Sequence, residues 1–131
     1  MSLADRPLKS ELARARGLGS AKEGVQHWWM QRLTGLALIP LCLWFVASLI
    51  AHVGLDRAAA AAWLRQPVVL GLTALMIVAL FHHAQLGLQV VIEDYVGHEP
   101  SRLVAIVLVK AAAILLATAA LVALLTIAIG G

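Results

Sequence analysis

The chain alternates between long apolar stretches and short connectors that hold most of its charge. Three stretches exceed the roughly 20 residues that a helix needs to cross the hydrocarbon core of a bilayer: 33–53, 67–92 and 103–129. We therefore predict an all-α membrane protein with three transmembrane helices, over about 27–53, 67–94 and 102–129. An N-terminal arm over 1–26 precedes this membrane domain of 27–131, and the alanine-rich connector over 56–63 is expected to form a short interfacial helix.

The composition supports the membrane assignment. Of the 131 residues, 62% are hydrophobic and 13% are charged, whereas an average soluble domain has roughly 45–50% and 25%. A chain of this size has too little interior to hide so much apolar surface from water. The single cysteine, Cys42, cannot form an internal disulfide, and the sequence has no C-x-x-C motif for a metal or a covalently attached haem.

The positive charges predict the orientation in the membrane. Six of the ten Lys and Arg residues lie in the first 32 positions, two lie in the first connector, and the residues after the third apolar stretch carry none. By the positive-inside rule, the N terminus is expected in the cytoplasm and the C terminus in the periplasm. No folded basic face is available for nucleic acid. The Met1 start without a plain transit segment favours a bacterial inner membrane over a mitochondrial one.

The second apolar stretch carries the candidate chemistry, because an ionisable group inside the bilayer is costly and points to function. His83, Gly87 and Asp94 share one face of this helix, and Gly87 leaves space beside the imidazole for a flat cofactor. His82 points about 100° away. A buried neutral histidine can be an axial ligand of haem iron. Position alone allows equally a structural histidine that is hydrogen-bonded to a neighbouring helix.

A haem with two histidine ligands would need a second histidine at the same depth. His27 and His52 lie at opposite ends of the first helix, His98 lies beyond the membrane boundary, and His82 shares a helix with His83. The second ligand would therefore come from another subunit or from another copy of this chain.

Asp94 and Tyr95 end the second predicted helix at the membrane surface. A tyrosine there is commonly part of the aromatic belt, and an aspartate is commonly a solvated helix end. The alternative is a functional pair, in which the phenol donates a hydrogen bond to a quinone carbonyl and the carboxylate organises a basic partner or relays protons.

The motif H-A-x-x-G-x(6)-D-Y, which runs from His83 to Tyr95, resembles that of the small hydrophobic membrane-anchor subunits of succinate dehydrogenase. The segment over 24–34 resembles the entry to that family's first membrane helix. The resemblance implies that His83 is an axial ligand of a b-type haem, near Gly87, that is shared with the cytochrome b partner of the anchor. It also implies that Arg32 neutralises a haem propionate, although Arg32 is equally explained as a positive-inside flanking charge.

By the same resemblance, Tyr95 hydrogen-bonds ubiquinone and Asp94 contacts an arginine of a partner. The chain is then a membrane anchor of complex II, with flavin and iron–sulfur clusters on partner subunits, and it holds no succinate-oxidising residues itself. Two alternatives remain: an anchor of a quinol:fumarate reductase, and a structural or assembly membrane protein without a cofactor.

Overall fold

A computed structural model of the chain describes residues 22–130, together with positions 12, 15 and 17. Most of the predicted arm over 1–26 lies outside these residues. The described chain forms four helices: α1 (Lys22–Ala51), α2 (Arg57–Leu64), α3 (Pro67–Tyr95) and α4 (Glu99–Ile129). The short helix that was expected over 56–63 is confirmed as α2.

Three of these helices are long and apolar enough to span a membrane, namely α1 from Gly24 onwards, α3 and α4. At 1.5 Å per residue each is about 45 Å long, and most of its side chains are exposed in the isolated chain. Exposed apolar helix surface is stable only against lipid or another membrane protein. The predicted fold class, an all-α protein with three spanning helices, is confirmed.

The middle helix of the arrangement is α3. It packs against both α1 and α4, whereas no Cα atom of α1 comes within 8 Å of a Cα atom of α4. The buried core lies between α1 and α3 and consists of Leu38, Leu41, Met76 and Ala79. Because the bundle is open, α3 places its side chains in two separate interfaces, one with each neighbouring helix.

The helix ends follow from local sequence. Pro67 and Pro100 lie in the first turns of α3 and α4, where the missing backbone N–H costs nothing. Gly130 ends α4 with a φ of 99°, in the left-handed region that favours glycine. Asp56 caps α2 by accepting a hydrogen bond from the Ala59 N–H at 2.8 Å.

The short helix α2 connects the ends of the two outer helices. The Trp63 ring stacks on the His52 imidazole at the end of α1, with ring centroids 4.6 Å apart. The Nε of Arg65 donates a hydrogen bond of 2.8 Å to the carbonyl oxygen of Ile127, at the end of α4. We call these four residues the α2 clip, since they link two helices that do not otherwise meet.

Candidate functional site

His83 is half-buried on α3 and faces the backbone of α1. Its Nδ1 lies 3.1 Å from the carbonyl oxygen of Gln31 and 3.0 Å from the hydroxyl oxygen of Thr34. A carbonyl oxygen can only accept a hydrogen bond, so Nδ1 carries the proton. In the neutral ring, Nε2 then carries the lone pair.

No described residue forms a hydrogen bond with Nε2 of His83. An imidazole that is oriented through Nδ1–H and has a free Nε2 is the arrangement that proteins use for metal ligation. The hydrogen bonds at Nδ1 thus leave Nε2 as the nitrogen of this ring that is free to meet another group.

Two glycines shape the contact between α1 and α3. A Cβ at Gly35 would lie 3.2 Å from Cε1 of His83, a tight contact, whereas a Cβ at Gly87 would lie 3.5 Å from Nε2 of the Gln31 side chain, an ordinary one. The space predicted beside Gly87 is thus bordered by the Gln31 amide. Gly35, on the opposite helix, determines how closely the His83 ring approaches α1.

Two polar atoms near this contact lack partners among the described residues. The Nε2 of His27 and the Oε1 of Gln31 are both buried and form no hydrogen bond within that part of the chain. They lie one helical turn apart on α1. Buried polar atoms without partners are costly in a protein chain, so this end of the interface has hydrogen-bonding capacity to offer a ligand or another subunit.

Arg32 lies on α1 next to Gln31 and is exposed. Its guanidinium carbon lies 4.4 Å from the centroid of the Trp28 ring, a cation–π contact. The Trp29 ring meets Trp28 edge-on at 5.1 Å between centroids. The aromatic pair supports a cation at this end of α1 while leaving its hydrogen-bond donors accessible.

Asp94 and Tyr95 end α3 and are both exposed, Tyr95 at 85%. Tyr95 is twelve residues beyond His83, which places its Cα about 18 Å along the helix axis and about 120° around it. Asp94 lies on nearly the same face as His83. The structure therefore brings His83 and Gly87 to one contact with α1, and it leaves Tyr95 apart from that contact and open to a partner.

Known proteins are similar in sequence to this chain over most of its length. Residues 6–125 match the family described as succinate dehydrogenase/fumarate reductase transmembrane subunit. The chain belongs to this family. No solved structure matches it.

Relatives of this transmembrane subunit are named succinate dehydrogenase hydrophobic membrane anchor subunit. The protein of Rickettsia bellii is 35% identical over 115 residues, which cover 88% of this chain and 92% of the relative. That of Rickettsia conorii is 33% identical over 117 residues, 88% of this chain and 93% of the relative. That of Paracoccus denitrificans is 33% identical over 81 residues, 62% of this chain and 63% of the relative.

The neighbouring His82 lies in the other interface of this transmembrane subunit. It lines a cavity of about 350 Å³ between α3 and α4, together with Gln85 and Lys110. From this cavity a line of hydrogen bonds runs along α3, from Gln85 to Gln89 at 3.1 Å and from Gln89 to Glu93 at 2.8 Å. The two adjacent histidines thus have different surroundings, and only the His83 ring is held by hydrogen bonds to another helix.

Sequence reasoning missed the residues of this transmembrane subunit that hold His83. Gln31 and Gly35 had no predicted role, and Thr34 entered only as part of the resemblance. Gln31, Thr34, Gly35 and Leu38 recur at the spacing of one helix face, which was an available signal. Which residue of α3 faces them depends on the register between the helices, which the sequence pattern does not fix.

Proposed function

We propose that this chain is the membrane-anchor subunit of a succinate:ubiquinone oxidoreductase, complex II, which passes electrons from succinate to ubiquinone as part of electron transport and the tricarboxylic acid cycle. Its partners are a flavoprotein subunit, an iron–sulfur subunit and a cytochrome b subunit. The complex is located in a bacterial inner membrane, with the N terminus of this chain in the cytoplasm and the C terminus in the periplasm. The family membership and the names of the relatives support this proposal.

The observation that carries the haem assignment is the state of the His83 ring. Its proton lies on Nδ1, which is held by the Gln31 carbonyl and the Thr34 hydroxyl, and its Nε2 is free. These features fit an axial ligand of a b-type haem. When bound, such a haem supplies reversible one-electron storage within the membrane.

A second histidine ligand of such a haem would come from the partner cytochrome b subunit, because the other histidines of this chain are placed elsewhere. His82 lines the cavity between α3 and α4, His52 stacks on Trp63, and His98 lies just outside α4. His27 is two helical turns before Thr34 on α1. None of them shares the His83 contact.

Two other residues, Arg32 and Gly87, lie where they would meet the edges of the same haem. Arg32 is exposed next to Gln31, and its guanidinium neutralises a haem propionate while Trp28 packs against it. Gly87 keeps the α3 surface one turn from His83 free of a side chain.

Ubiquinone is bound at the end of α3. The hydroxyl of Tyr95 donates a hydrogen bond to a quinone carbonyl, and the neighbouring carboxylate of Asp94 contacts an arginine of a partner subunit. The 85% exposure of Tyr95 in the isolated chain is consistent with a site that is completed by other subunits.

Purification of the tagged chain from membranes in a mild detergent tests this function. We expect flavin, iron–sulfur clusters and a second membrane subunit to copurify, with a low-spin b-type spectrum and succinate-dependent reduction of ubiquinone. Recovery of the chain with membrane partners but without any b-type absorbance would contradict the haem assignment. Quinol-dependent fumarate reduction in preference to succinate oxidation would contradict the proposed direction.

A further inference from the structure

We propose that Thr34 and Gly35 of α1 are positioning residues for His83, which fix the tautomer and the plane of its imidazole and thereby set the electron donation of Nε2 to iron. This assignment rests on the proposed function, in which His83 is an axial ligand. It concerns two residues of the first helix, neither of which touches the iron.

The hydrogen bonds of Thr34 define its role. Its hydroxyl lies 2.7 Å from the carbonyl oxygen of Met30 and 3.2 Å from that of Gln31, so its single proton is donated to a backbone carbonyl of its own helix, the shorter contact being Met30. The same oxygen lies 3.0 Å from Nδ1 of His83, so it accepts from the ring N–H. A threonine inside a helix commonly bonds the carbonyl four residues earlier, but here it also bonds a side chain on another helix.

Two acceptors therefore face one ring N–H, namely the Thr34 hydroxyl oxygen and the Gln31 carbonyl oxygen. A flip of the imidazole would replace the N–H with a C–H and lose both bonds. Acceptors on the distal N–H of a ligating histidine fix its tautomer and raise the basicity of the other nitrogen. Thr34 is thus expected to strengthen donation to ferric iron in particular.

Gly35 acts by leaving room for the His83 ring, because it has no side chain. A Cβ at this position would lie 3.2 Å from Cε1 and 3.7 Å from Nδ1 of His83. Alanine would therefore force the ring to move by a few tenths of an ångström or rotate. Gly71 on α3 is a matched control, because a Cβ there meets nothing within 4 Å.

The test uses the assembled complex with Thr34→Val, which keeps the shape of the side chain but removes the hydroxyl, and Thr34→Ser, which keeps the hydroxyl. The readouts are the haem midpoint potential and the electron paramagnetic resonance spectrum of the oxidised haem. We expect Thr34→Val to weaken the binding of His83 to ferric haem iron by about tenfold relative to ferrous haem iron. For a one-electron couple, this change raises the haem midpoint potential by about 59 mV. Thr34→Ser should match the wild type.

For the glycines, Gly35→Ala should shift the resonance positions of the oxidised haem, which report the orientation of the axial ligand, whereas Gly71→Ala should leave them unchanged. Equal spectra and potentials for wild type, Thr34→Val and Gly35→Ala would overturn the inference while leaving haem ligation intact. Equal changes in Thr34→Val and Thr34→Ser would also overturn it, since the hydroxyl would not be the cause. A wild-type complex without haem would instead reject the haem assignment in the proposed function.

Discussion

The interface between α1 and α3 has two halves of opposite character. The apolar half is buried and is built from Leu38, Leu41, Met76 and Ala79. The polar half is only partly buried and is built from Gln31, Thr34, Gly35, His83 and Gly87. The same pair of helices thus changes from aliphatic packing to hydrogen bonding within one helical turn.

The two halves differ in how many of their polar atoms have hydrogen-bond partners within the described residues. The apolar half is held by carbon contacts, with one buried hydroxyl without a partner in the described residues, Oγ1 of Thr73, three residues before Met76 on α3. The α2 clip holds the helix ends beyond it. The polar half contains a free Nε2 on His83 and one buried atom without a partner in the described residues, Oε1 of Gln31, and a second such atom, Nε2 of His27, lies one turn before it on α1. A polar group in a membrane is expensive unless another group pairs with it. The difference indicates that the apolar half stabilises the chain and that the polar half has hydrogen-bonding atoms to offer a ligand or another subunit.

The first prediction, an all-or-none one, assigns each half to a side of the membrane. A reporter inserted within 97–101, next to the polar half, should be cytoplasmic, and a reporter fused after Gly131 should be periplasmic, because Lys and Arg concentrate on the N-terminal side. Alkaline phosphatase and green fluorescent protein fusions measure this. The opposite pattern would place Tyr95 on the side away from soluble electron-donating partners and would reject the quinone assignment.

The second prediction concerns Tyr95, which lies at the end of the polar half. Tyr95→Phe keeps the ring and removes one hydrogen bond to a carbonyl that gains negative charge, a loss of about 1.5–3 kcal/mol. Quinone reduction by succinate should therefore fall by roughly ten- to hundredfold. Steady-state kinetics of the purified complex measure the change.

The control for Tyr95 is succinate oxidation with a soluble dye that accepts electrons before the quinone. Dye reduction should stay normal, since the proposed function assigns the flavin and the iron–sulfur clusters to partner subunits. Equal loss of both activities would mean that the complex does not assemble, and unchanged quinone reduction would make Tyr95 an aromatic-belt residue.

The third prediction, with the smallest effect, tests the α2 clip beyond the apolar half. Arg65→Ala removes the hydrogen bond to the Ile127 carbonyl and should lower the free energy of unfolding by about 1 kcal/mol. Thermal unfolding in detergent should show this, with the haem spectrum unchanged. Arg57→Ala is the control, because Arg57 lies at the opposite end of α2, where its side chain forms no described hydrogen bond to another helix. A spectral change in the Arg65 variant would mean that the two halves are not independent.

Much of the fold was predictable from local sequence. The three spans follow from hydropathy, since a bilayer demands long apolar helices, and α2 follows from its alanine run after Asp56. The helices α1 and α4 begin several residues before their apolar stretches, because hydropathy records contact with lipid and a helix can continue into polar residues. Pro100, in the first turn of α4, is compatible with such an early start.

Only those features of the candidate site that depend on the geometry of a single helix were predictable from the sequence. Helical geometry places His82 and His83 about 100° apart, but it does not say which of them faces α1. The contacts of His83 with Thr34 and Gly35 join residues about 50 positions apart in the chain. They depend on the register of two packed helices, which is a tertiary property.

The most direct test of the account compares these two adjacent histidines in one complex. His83→Leu and His82→Leu each replace one imidazole at adjacent positions of α3, so that His82→Leu controls for the loss of a histidine from this helix. We expect the low-spin b-type spectrum to be lost or shifted in His83→Leu, because an axial ligand is missing, and to be nearly intact in His82→Leu. An unchanged spectrum in His83→Leu, or loss only in His82→Leu, would contradict the assignment of the polar half as the haem site.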